Sequence, residues 1–82
     1  MSNKTFHLTI ARVDQPLFAG AVVSAIVPGV AGEMTILPGH TALISPLGPG
    51  KVRLTTAAGD SQDYDVATGT LEVSNNSATI LL

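Results

Sequence analysis

Two histidines, His7 and His40, and, among the six acids, the carboxylates Glu33, Asp63 and Asp65 are the side chains of this sequence to weigh first for moving a proton or holding a cation. Their spacing supports neither use. The histidines lie far apart in sequence and have no carboxylates beside them at metal-ligand spacing. His40 as a general base would need a nucleophile to serve, and Gly-x-Ser-x-Gly is absent. Asp63 and Asp65, two apart on one strand face, offer too few oxygens for calcium and read as a solvated face. Gly48-Pro49-Gly50-Lys51 lacks the spacing that lets backbone amides cradle phosphate, so it is a turn. No catalytic, metal or nucleotide-binding residue is expected, and no cofactor. Glu33, between Gly32 and an apolar segment, reads as a surface acid.

The elements that must position these residues are short strands. In residues 27–43 two Pro-Gly pairs, Pro28-Gly29 and Pro38-Gly39, bracket a short apolar segment. Each pair reads as a turn, because Pro presets the first corner and Gly supplies positive φ for the second. Between them Met34-Thr35-Ile36-Leu37 is too short for a helix and reads as a strand with Glu33 and His40 at its ends, on exposed corners that could meet a partner.

Upstream, Phe6, Leu8 and Ile10 alternate with polar or small residues, as a strand with one buried face does, and a turn is expected at Asp14-Gln15-Pro16. The β-branched run at residues 21–27 predicts the longest central strand. Residues 41–45 read as a strand ended by Pro46. Residues 51–56 and 62–67 form a hairpin with Val52, Leu54, Tyr64 and Val66 inward, and Lys51 and Arg53 are expected to face the two aspartates across it. Gly69 breaks the run, and a second hairpin turns at Ser74-Asn75-Asn76-Ser77. About nine short strands without helical period predict one all-β domain over residues 1–82, an antiparallel β-sandwich or flattened barrel.

Composition narrows the partners. The basic residues Lys4, Arg12, Lys51 and Arg53 form no run and net charge is −2, so the footprint of a nucleic-acid binder is missing. Cysteine is absent, which removes disulfides and thiolate metal sites. Residues 1–4 lead into a strand pattern without an apolar signal core, and no apolar run is long enough to span a bilayer as a helix. With few charges on so small a chain, part of its surface is expected to be covered by a partner.

Several motifs, in order, resemble the N-terminal β-sandwich domain of the ε subunit of F-type ATP synthases, called δ in mitochondria. They are Phe6-His7-Leu8, Phe18-Ala19-Gly20, Gly32-Glu33-Met34, Ile36-Leu37-Pro38-Gly39-His40, Pro49-Gly50-Lys51-Val52-Arg53 and Gly69-Thr70-Leu71-Glu72-Val73. The resemblance implies a sandwich of about ten short strands. It implies a non-catalytic rotor subunit of the central stalk, bound to the γ subunit by one face and to the polar loops of the membrane c-ring by its lower edge. Ion flow turns the ring, and this domain helps carry torque to γ. The c-ring-facing edge would hold Gly32, Glu33, Pro38, Gly39 and His40. The implied location is peripheral, on the cytoplasmic face of the bacterial inner membrane or the equivalent organelle membrane.

Three departures qualify the resemblance. The C-terminal helical hairpin of family members is not in this sequence, so its braking of hydrolysis and its ATP binding are not expected. Ala67-Thr68-Gly69-Thr70 replaces a step with a second glycine and a bulky apolar residue, and Asp63 and Asp65 replace more apolar residues. Both changes imply a more polar surface toward γ. The alternative reading is a free-standing β-sandwich interaction module with no rotor role. An enzyme lacks a convergent set of groups, and a swinging-arm carrier lacks a lysine at the 58–61 hairpin tip. A secreted adhesin would carry a signal and exposed aromatics.

Overall fold

Alternating apolar and polar side chains give each short segment one face for a core. The computed structural model describes residues 4–13 and 15–82 and contains eight strands. These are β1 (Phe6–Arg12), β2 (Gln15–Gly29), β3 (Gly32–Ile36), β4 (Leu43–Leu47), β5 (Gly50–Thr56), β6 (Ser61–Val66), β7 (Gly69–Ser74) and β8 (Ser77–Leu81). The all-β fold class is as expected. The expectation of nine or ten strands is corrected to eight among the described residues, and the expected central strand at residues 21–27 extends to the 15-residue β2. The expected lead-in at residues 1–3 and the Asp14 corner lie outside the described residues.

Two ladders share β2. Its first half pairs with β1, from Arg12↔Gln15 to Phe6↔Val22, and its second half runs between β3 and β5. One ladder is β2-β1-β8-β7-β4 and the other is β3-β2-β5-β6. A strand that changes partners must keep its apolar side inward. The register of β2 shifts between Val22 and Ser24, and this extra residue brings Ala25 and Val27 into the core alongside Val22. β1 and β8 pair in parallel, within an otherwise antiparallel set of pairings among the described residues.

Two expected boundaries shift by a residue or two. Pro28-Gly29 ends β2 rather than forming the corner, and the chain reverses at Val30 and Ala31, with Gly29 opposite Gly32. A side chain at Gly29 would put its Cβ 2.6 Å from the Gly32 carbonyl oxygen, so glycine here permits close backbone approach. Pro46 lies inside β4 instead of ending it. β4 has β7 on one side and meets β2 only at Gly29↔Leu47, so proline's missing N–H costs it no complete ladder.

The core lies between the ladders. Leu8, Ile10, Leu54, Leu71 and Ile80 are fully buried, and no polar side chain is buried among the described residues. Each such aliphatic side chain contributes about 1.5–3 kcal/mol by leaving water.

Candidate functional site

The five expected edge residues fall in two turns at opposite ends of β3. Gly32 and Glu33 close the β2–β3 hairpin, with Glu33 opposite Pro28 and exposed, and Val30 exposed at the tip. Gly32 has φ +136°, a conformation that L side chains rarely adopt. Pro38, Gly39 and His40 follow the other end. Here the expected turn forms: Gly39 takes φ +79° and the His40 N–H donates to the Leu37 carbonyl at 3.1 Å. The length of β3 between the two turns is roughly 14 Å, at about 3.4 Å per residue. β3 pairs only with β2 among the described residues, so its other edge is free. The structure thus brings Gly32 to Glu33 and Pro38 to Gly39 and His40, and joins the two groups only along this edge.

His40 is half-buried, and its Nδ1 lies 2.7 Å from the Thr41 carbonyl oxygen. A carbonyl only accepts, so Nδ1 carries a proton in this contact and Nε2 is left for another partner. The turn is held from outside by Asn76. Its Oδ1 accepts the Gly39 N–H at 2.9 Å, and its Nδ2 donates to the Thr5 carbonyl at 2.8 Å.

Charge is divided between the two outer faces. On the β3-β2-β5-β6 ladder, cross-strand register sets Glu33, Pro28 and Ile26 on one side against Lys51 and Arg53, with Asp65 and Asp63 beyond. Arg53 Nε donates to Asp63 Oδ1 at 3.1 Å, and Lys51 Nζ lies 4.0 Å from Asp65 Oδ1, as expected for that hairpin. The Arg53 hydrogen bond holds the Asp63 carboxyl below its ordinary value; desolvation is the next effect and opposes it, and the charges of Arg53 and Lys51 add to the lowering. An open trough of about 460 Å³ runs between Glu33 and the two cations over Ile26 and Pro28.

The other face is nearly neutral. Across β4, β7 and β8 the sequence carries one charge, Glu72. Ile44 is 73% exposed opposite Glu72, and Leu81 is 56% exposed opposite Thr70. A shallow depression of about 420 Å³ is lined by Ala42, Leu43, Ile44, Glu72, Val73 and Ser74. Thr70 belongs to this face, whereas Asp63 and Asp65 lie on β6 in the other ladder. The expectation that all three make one surface more polar is therefore corrected: they do not share a surface.

Sequence reasoning missed Ile44 and Asn76. The 41–45 segment alternates too weakly to show which side faces out, and the Asn75-Asn76 pair signalled a turn but not what its side chains reach. Among the described residues no cluster of three potential metal ligands occurs, and no helix is long and apolar enough to cross a membrane.

Residues 5–82 match the family model described as ATP synthase, Delta/Epsilon chain, beta-sandwich domain. The chain is 40% identical over 77 residues to the ATP synthase epsilon chain of Bordetella parapertussis, covering 94% of this chain and 55% of that one. The Bordetella avium epsilon chain is 39% identical over the same length. The chain thus spans about half the length of these relatives. A chain of the Euglena gracilis mitochondrial ATP synthase structure (OSCP/F1/c-ring) superposes with TM-score 0.87 at 25% identity, covering 94% of this chain and 49% of that one. A chain of the Tetrahymena thermophila mitochondrial ATP synthase structure (central stalk/c-ring) has TM-score 0.76 at 16% identity, covering 99% and 65%, and shares the fold.

Proposed function

The chain belongs to the β-sandwich family of ATP synthase delta and epsilon chains, and from that premise we propose that it is a non-catalytic rotor element linking the γ subunit to the c-ring. In this role it couples ion translocation to ATP synthesis, peripheral to the membrane through the complex, on the cytoplasmic face in a bacterium or its organelle equivalent. The observation that carries the reading is the division of charge between the two outer faces. A surface that stays covered needs a core depleted of charge, and the face around Ile44 and Leu81 has Glu72 alone on its three strands. That face is assigned to γ. The polar ring loops are assigned to the free edge of β3. Gly32 and Glu33 meet them directly, and Pro38, Gly39 and His40 lie at the seam where the ring-facing edge runs into the face around Ile44.

Affinity on this reading comes from apolar packing on γ, while Glu33 at a wet rim adds up to about 1 kcal/mol by pairing with a ring-loop cation. The test is calorimetric titration of the chain into a purified cognate γ subunit. Stoichiometric binding is expected, lost by at least tenfold in Ile44→Glu and little changed in Glu33→Lys. In assembled membranes Glu33→Lys is expected to weaken coupling of ATP hydrolysis to ion pumping. Failure of the unaltered chain to bind γ at tens of micromolar sinks the γ assignment, and unchanged pumping removes the role of Glu33.

A further inference from the structure

The β7–β8 connection has two central residues, Asn75 and Asn76, both with positive φ (51° and 57°). This is the backbone of a tight hairpin whose second position glycine suits best. Glycine there could make neither of the side-chain bonds that Asn76 makes. Its amide spans three segments remote in sequence: Oδ1 takes the Gly39 N–H at 2.9 Å and Nδ2 gives to the Thr5 carbonyl at 2.8 Å. Its own carbonyl accepts the His7 N–H at 3.2 Å. Residues 37–42 link β3 to β4 with no strand pairing. Among the described residues the Gly39–Asn76 bond is the one hydrogen bond that ties residues 38–42 to another part of the fold.

We propose that Asn76 is the positioning residue of the turn formed by Pro38, Gly39 and His40, fixing the direction in which the His40 ring leaves the fold. The inference rests on the reading of that turn as part of the rotor contact. Asn76 acts through the turn: it accepts from the backbone one residue before His40, while its second bond to Thr5 and its carbonyl bond to His7 keep its own amide from rotating away. The β7–β8 hairpin therefore serves as a bracket for a turn on a different element.

Asn76→Gly separates this role from simple hairpin stability, because glycine keeps or improves the turn backbone while removing both side-chain bonds. Amide hydrogen exchange is followed by NMR on the whole chain, and affinity is measured for a γ–c-ring subcomplex. In Asn76→Gly the Gly39 amide is expected to exchange about five- to tenfold faster, the factor carried by one net hydrogen bond, while Leu54 and Leu71 in the core are unchanged. Affinity is expected to fall as it does in His40→Ala, and the double variant is expected to be no weaker than either single one. Asn76→Asp keeps the acceptor for Gly39 but turns an oxygen toward the Thr5 carbonyl, so Gly39 stays protected and Thr5 is released. Unchanged Gly39 exchange in Asn76→Gly, or equal acceleration in the core, overturns the proposal. Additive loss in the double variant overturns it too. Unchanged affinity in His40→Ala overturns the contact reading instead, and Gly39 exchange still decides whether Asn76 holds the turn.

Discussion

Arg53 and Asp63 show how a single pair on the outer sheet carries a measurable signature. The guanidinium donates to the carboxylate at 3.1 Å and holds its pKa below the ordinary value. A carboxyl whose folded pKa is depressed contributes stability above its unfolded value of about 3.9 and loses it as pH falls through the lower folded value. Asp63→Asn is therefore expected to be less stable than the unaltered chain at neutral pH, with the difference vanishing on acidification to about pH 2. Urea midpoints across that range test it, and a constant difference at all pH values would mean the bond to Arg53 contributes nothing through charge. This pair was legible beforehand, since alternating Lys51-Val52-Arg53 and Asp63-Tyr64-Asp65 must place like-facing residues opposite one another in a hairpin. Asn76 was not, because the bond it makes to Gly39 joins two turns 37 residues apart in sequence.

At the scale of elements, β2 decides the most. It serves two ladders, and the register shift between Val22 and Ser24 keeps its apolar side inward on both. If all residues of β2 alternated strictly through this point, Ala25 and Val27 would turn outward while Ser24 and Ile26 turned in. Loss of Val27 alone forfeits about 1.5–3 kcal/mol, against a total stability of roughly 4–12 kcal/mol for a chain of this length. Deleting the extra residue Val23 leaves Val22, Ala25 and Val27 in phase on one face, so the variant is expected to keep a cooperative unfolding transition in thermal circular dichroism. Loss of that transition would show that the bulge itself, and not only the inward phase of the strand, is needed for β2 to serve both ladders.

For the whole molecule, a strand common to both ladders joins them through backbone hydrogen bonds as well as through the core. They are expected to unfold together. Tyr64 is the only tyrosine and tryptophan is absent, so its emission reports on β6 and the second ladder, while far-ultraviolet circular dichroism reports on both. Coincident urea transitions by the two probes are expected, and an earlier tyrosine transition would mean that the ladders are separable units. The same architecture gives the proposed rotor role its geometry, because a neutral face and a charged face are held at fixed orientation by one continuous strand.

Local patterning by itself determined the all-β class, the inward positions of Phe6, Leu8, Ile10, Val52 and Leu54, the turn at Pro38-Gly39, and the charge pairs of the β5–β6 hairpin. Each depends on side-chain period or on the φ preference of a residue and its neighbours. The motif series determined the family. Only the tertiary structure decided that β2 is one strand, that β1 and β8 run parallel, and that the edge of β3 between Glu33 and His40 is free. It also separated Thr70 from Asp63 and Asp65. These features come from pairings between segments remote along the chain, whose register is set by how the two ladders close over a shared core.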